Sequence, residues 1–180
     1  MIDALIGLRK EEVSDPLSIS EIEITVASLN IKVTGNPDPV DCLLAKFSLQ
    51  FVAALALLYG RANETDFTPQ TIHDVSVRDL MKKVRLVADA SLGETEAHVR
   101  ILRRDGGVRE RHVTSPKGEP ANPMTFQEIE AKFMDLAEPV LGRKKAEGVI
   151  ETVRGLEDLN DSSRLVYLCC KQTKTKSGNR

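Results

Sequence analysis

Tryptophan is absent from this sequence, and Phe and Tyr bring the aromatics to only 4% of its 180 residues. So few rings argue against a base-stacking platform for nucleic acid. No apolar run approaches the roughly 20 residues of a membrane span. The opening MIDALIGLRKEE has no basic region ahead of an apolar one and no cleavage site, so it does not read as a secretory signal. Neither sign of charge dominates. The 25 Lys and Arg against 27 Asp and Glu leave a net charge of -2, which sets up no global field for nucleic acid or an acidic membrane. Cysteine is scarce too. Cys42, Cys169 and Cys170 form no CxxC pair and no Cys/His ligand spacing. They read as free thiols of a reducing, cytoplasmic compartment. A Gly-rich phosphate loop, HExxH and GxSxG are all missing.

What is present reads as a globular chain, with 41% hydrophobic and 29% charged residues. Its length allows a real core in one domain or in a domain with an appended piece. Residues 2–10 have helical spacing. EIEITVASL (21–29) alternates Ile22, Ile24 and Val26 against Glu21, Glu23 and Thr25, the pattern of a half-buried strand. TGNPDP (34–39) is a loop. Residues 68–84 read as one or two short helices, and 84–90 as a strand. AHVRILRRDGGVRERHV (97–113) places Asp105, Gly106 and Gly107 between two β-compatible runs and so predicts a hairpin.

Toward the C-terminus, Thr125 and Glu128 form a capping box for a helix over 122–141, with Pro139 as its expected break. Ala146, Val149, Ile150, Val153 and Leu156 form a second amphipathic helix. A third starts near Asp161, its expected cap. KQTKTKSGNR (171–180) is polar and basic and reads as a frayed tail. The expected fold is α+β: a mostly antiparallel sheet with a buried central helix and C-terminal helices. Residues 1–170 form the folded part.

AKFSLQFVAALALLYG (45–60) supplies the central helix, expected over about 42–59 and closed by Gly60. It is apolar nearly all round, so it sits inside something. Its polar residues raise the functional question. Lys46 and Gln50, four apart, share a face, with Ser48 roughly opposite. Such a stripe lines a cavity, or it marks where the first turns reach water with Lys46 snorkelling. His98 and His112 can face each other across the hairpin, but a third metal ligand is not visible, so no metal site is assigned. Arg100, Arg103, Arg104, Arg109 and Arg111 make the hairpin basic. Without a basic stripe or interleaved aromatics elsewhere, this reads as a solvated sheet rim.

Four stretches in order carry a resemblance: AKFSLQFVAALALLYG, DFTPQTIHDVSVRDLMKKVRLVAD, ILRRDGGVRERHVTSPKGEPANPMTFQEIEAKF and GLEDLNDSSRLVYLC. Together they resemble the MmgE/PrpD family, named for 2-methylcitrate dehydratase, over about residues 2–170. The resemblance implies a smaller α+β domain with its closing helices, while the family's large all-helical domain is missing. It implies a lyase-type activity on a small di- or tricarboxylic acid such as 2-methylcitrate or cis-aconitate, in the setting of propionate metabolism. No cofactor is implied, and the typical assembly is a homodimer. MIDALIGLR resembles the segment just after a motif with an active-site histidine, so the chain alone is expected to be inactive. On the family pattern Lys46 binds or anchors a carboxylate and Gln50 hydrogen-bonds the substrate; catalytic residues stay unassigned. The alternative is a stand-alone, non-catalytic module that dimerises or binds a relative. Neither reading calls for a nucleic-acid or membrane partner.

Overall fold

A computed structural model describes residues 1–11, 13 and 15–170. The expected tail at 171–180 lies outside the described residues. The chain divides into two compact units, Met1–Pro123 and a second that begins at Met124.

The first unit is built on four strands. The alternation near residue 21 becomes β1 (Ile19–Val26), with β2 (Val84–Ala88), β3 (Ala97–Arg103) and β4 (Val108–Val113). The sheet order is β2-β1-β3-β4. β1 pairs antiparallel with β3, and β3 with β4, whereas β1 and β2 run parallel. The sheet is therefore mixed, and its antiparallel part is the predicted majority. Parallel pairing needs a long crossover, and residues 27–83 supply it. Gly106, at φ 84°, takes the left-handed position of the β3–β4 turn, where the Gly106 amide donates to the Arg103 carbonyl at 3.0 Å.

One face of the sheet is apolar and dry. Ile22, Ile24 and Val26 of β1 meet Ala97, Val99 and Ile101 of β3, all essentially inaccessible. The helices α1 (Ile2–Glu11), α4 (Leu49–Tyr59) and α6 (Val75–Met81) join this core through Leu5 and Leu8, Phe51 and Ala53 through Leu57, and Val77 and Leu80. The other face carries Glu23, Arg100 and Glu110 side by side in register.

The central helix is not continuous. It breaks into α3 (Cys42–Lys46) and α4, with Ser48 between them as the N-cap of α4. The Ser48 hydroxyl accepts from the Phe51 amide at 3.1 Å and is 1% exposed. Asp41 caps α3 in the same way, accepting from the Leu44 amide. Ser48 is thus structural, and it does not sit opposite Lys46 and Gln50 on one helix. At the far end Gly60 caps α4 at φ 69°, as expected. Arg9 reinforces that end, donating to the Leu57 carbonyl at 2.8 Å and the Leu58 carbonyl at 3.3 Å. A cation on the last carbonyls of a helix also complements its dipole. So α4 is enclosed by α1, α6 and the sheet, which explains its apolar circumference.

The short helix α2 (Ser28–Thr34) takes up the end of the stretch read as strand, and α5 (Pro69–Ile72) precedes α6. The second unit holds α7 (Phe126–Leu141), α8 (Arg143–Arg154) and α9 (Ser163–Cys169). The Thr125–Glu128 capping box is formed. Pro139 does not break α7 but lies inside its exposed last turn, where the missing donor costs a single bond. Asp161 accepts from the Ser163 amide and hydroxyl at the start of α9, and these bonds hold its carboxyl below the usual range. No helix among the described residues is long and apolar enough to cross a membrane.

Candidate functional site

The break at Phe47–Ser48 separates the two residues expected to share a face. Lys46 ends α3. Its ammonium lies 2.5 Å from Glu64 Oε1 and 5.8 Å above the Phe67 ring, which in turn stacks at 5.8 Å on Phe51. Lys46 is therefore at the surface, held against a carboxylate and an aromatic face.

Gln50, in the first turn of α4, is the opposite case. It is 8% exposed, and its Oε1 is buried without a hydrogen-bond partner among the described residues. Buried polar atoms of this kind are uncommon and costly, so each calls for a reason. Gln50 lines a cleft of about 510 Å³ together with Pro37, Asp38, Arg78, Met81, Lys82 and Val84. That volume falls within the range of small-molecule sites. Lys46 is not among the residues that line it. Arg78 and Lys82 were not singled out by sequence. Arg78 reaches the site by contacts with residues 38 and 39, about forty positions away, and no local pattern signals such a pairing.

The basic hairpin is partly neutralised. Arg100 pairs with Glu110 at 3.0 Å, Arg103 with Asp105 at 3.1 Å, and Arg111 with Glu11, while on β2 Arg85 pairs with Glu21 and Glu23 of β1. This is the expected solvated face. His98 and His112 do stand opposite each other, with rings edge-on at 6.0 Å. Glu96 lies 2.6 Å from His112. Its carboxyl is held below the usual range, chiefly by the Gly93 amide and secondarily by His112. No group of three or more His, Cys, Asp or Glu among the described residues has the geometry to hold a metal ion. Tyr59, at the far end of α4, holds its proton more firmly than a free phenol, because burial and then Asp74 and Asp66 disfavour the phenolate. It is a hydrogen-bond donor at neutral pH rather than a base.

Residues 1–158 match the family model described as the MmgE/PrpD C-terminal domain. The chain belongs to the MmgE/PrpD family. It is 28% identical over 174 residues to cis-aconitate decarboxylase of Mus musculus, covering 92% of this chain and 36% of that protein. It is 29% identical over 143 residues to cis-aconitate decarboxylase of Homo sapiens, covering 77% of this chain and 30% of that protein. This family member thus spans about a third of the length of those relatives. In it the Gln50 cleft combines a buried polar group with two cations, Arg78 and Lys82.

Proposed function

We propose that the chain serves a lyase of the MmgE/PrpD type, acting on a small di- or tricarboxylic acid of the cis-aconitate or 2-methylcitrate kind. Lys46 and Gln50 are its substrate contacts, the first for a carboxylate and the second for hydrogen bonding. The observation that carries this reading is the family match over residues 1–158, joined to two relatives that bear the name cis-aconitate decarboxylase. Loss of carbon dioxide or a proton beside a carboxylate needs cations for the substrate and an acid or base at the reacting carbon. The cleft offers Arg78 and Lys82 as such cations, and Lys46 is proposed to reach a substrate carboxylate from outside that lining. The acid–base groups are proposed to come from the helical domain that the family resemblance implies. The three free thiols, Cys42, Cys169 and Cys170, fit a cytoplasmic setting.

The experiment mixes the purified chain with the separately expressed helical portion of a family member and follows carbon dioxide release from cis-aconitate. The chain alone should show no useful turnover, and the mixture should show some. Catalytic groups act as a unit, so a partial set loses most of the effect. Robust turnover by the chain alone, unaffected by Lys46→Ala and Gln50→Leu, would sink the proposal.

A second reading, a non-catalytic module that associates with itself, is favoured by the helical unit. Phe126, Ile129, Leu136, Val140 and Val153 there are 43–52% exposed. Phe126, Ile129 and Val153 line one groove of that unit, and exposed apolar patches mark interaction surfaces. Sedimentation at tens of micromolar, roughly where a moderate interface persists, should show a dimer or larger species. A clean monomer would count against self-association in either reading.

A further inference from the structure

We propose that Asp38 is a built-in competitor for the Gln50 cleft: its carboxylate occupies the place that a ligand carboxylate takes on Arg78. The inference rests on the reading of Gln50 as a ligand contact and adds how that site is kept occupied at rest. It starts from the way Arg78 is held. Arg78 Nε donates to the Ile72 carbonyl at 2.5 Å, and Nη2 donates to the Pro39 carbonyl at 2.6 Å. These two main-chain bonds fix the guanidinium plane without help from any acid. Among the described residues only Nη1 meets a carboxylate, Asp38 Oδ1 at 2.6 Å. The Arg78 side chain is 22% exposed and that of Asp38 is 80% exposed. The cation is therefore fixed and its counter-ion is free to leave.

A fixed, partly buried guanidinium is suited to planar recognition of carboxylates. Lys82, the C-cap of α6 four residues after Arg78, brings a second cation to the same cleft, and its present partner Asp79 is also exposed. Gln50 adds an independent observation. The residue is more than nine-tenths buried and lines the cleft, and its Oε1 has no donor among the described residues, a bond that the hydroxyl of a bound acid or its water would provide. Pro37, Met81 and Val84 supply an apolar wall. The complementary ligand is a small polycarboxylic acid: one carboxylate for Arg78, a second for Lys82, and a donor toward Gln50. With Asp38 and Asp79 in place, the two cations are balanced by exposed carboxylates.

The test uses the full chain and citrate as the probe, followed by NMR. In the wild-type protein citrate should shift the Gln50 side-chain amide and the Arg78 Nε resonance, and should also move the Asp38 carboxyl carbon. Asp38→Asn should tighten citrate binding by about two- to five-fold, the fold-change that corresponds to removing one exposed ion pair. Gln50→Leu should weaken it. If Asp38→Asn leaves the affinity unchanged or lowers it, while Gln50→Leu still weakens binding, the competitor fails and the Gln50 reading survives. If Asp38→Asn tightens binding and Gln50→Leu does nothing, the competitor stands and the Gln50 reading fails. No shift at Arg78 or at the Asp38 carboxyl up to roughly 10 mM citrate overturns the inference without recourse to a variant.

Discussion

Phe51→Ala is expected to lower the unfolding free energy by about 3–5 kcal/mol, the largest stability effect of any single truncation considered for this chain. Phe51 is fully buried and belongs to the same core as the sheet and helices α1, α4 and α6. Its ring stacks at 5.8 Å and a 41° tilt on Phe67, so the substitution removes an aromatic contact as well as volume. Its amide is the one that Ser48 caps, so packing and capping converge at one residue. Chemical denaturation followed by circular dichroism checks the value. A loss under about 1 kcal/mol, the scale of one removed CH₂ group, would mean that α4 is not the centre of the core. Such destabilisation is a large share of what a domain of this size possesses, and partial unfolding at room temperature is the expected phenotype.

The elements that were legible in the sequence are those specified by neighbours. Alternation of Ile22, Ile24 and Val26 needs only the pleat to place three side chains on one face, and they are buried there. Gly106 is required by a positive φ at one turn position. Thr125 and Glu128 satisfy each other within a single helical turn. The elements that were missed depend on competition or on distance. Ser48 carried a readable cap signal, three residues before Phe51. Phe47 and Leu49 on either side made the apolar run look unbroken, and hydrophobicity outweighed the cap. The parallel pairing of β2 with β1 joins Ile22 to Val84, and no local pattern encodes a partner that far along the chain. Seven residues of α2 follow β1 directly, and β-branched Ile31 and Val33 hide its helical character.

The candidate site divides the same way. Lys46 and Gln50 were found through their polarity within an apolar stretch, a local contrast. Their geometry was not legible, because a spacing of four places two residues on one face only if the helix between them is continuous. Arg78 and Asp38 look like ordinary surface charges in the sequence. Their roles arise from the backbone carbonyls of Ile72 and Pro39, which only the folded chain brings to one guanidinium.

Lys46→Ala is expected to reduce turnover of the reconstituted enzyme about ten- to a hundred-fold with little change in stability. The two effects separate because of where Lys46 sits. Its side chain is 36% exposed and its partner Glu64 is 60% exposed. An exposed pair of this kind contributes about 0–1 kcal/mol to folding. A hydrogen bond from an ammonium to a substrate carboxylate is worth about 1.5–3 kcal/mol, and each 1.4 kcal/mol is about a factor of ten in rate or affinity. Ser48→Ala cannot serve as a control, because loss of the cap costs about 0.5–2 kcal/mol of stability by itself. Glu64→Gln is the discriminating variant. If Lys46 matters only as the partner of Glu64, removing either one should have the same effect on turnover. If Lys46 binds a substrate carboxylate, Glu64→Gln releases it from a competing acid, and turnover should hold or rise while Lys46→Ala falls. Steady-state kinetics on both variants, beside denaturation curves for each, gives the answer. Equal losses in the two variants, or an active Lys46→Ala enzyme, would remove Lys46 from the substrate site and leave Gln50 with the Arg78 cleft as the remaining place for the acid to bind.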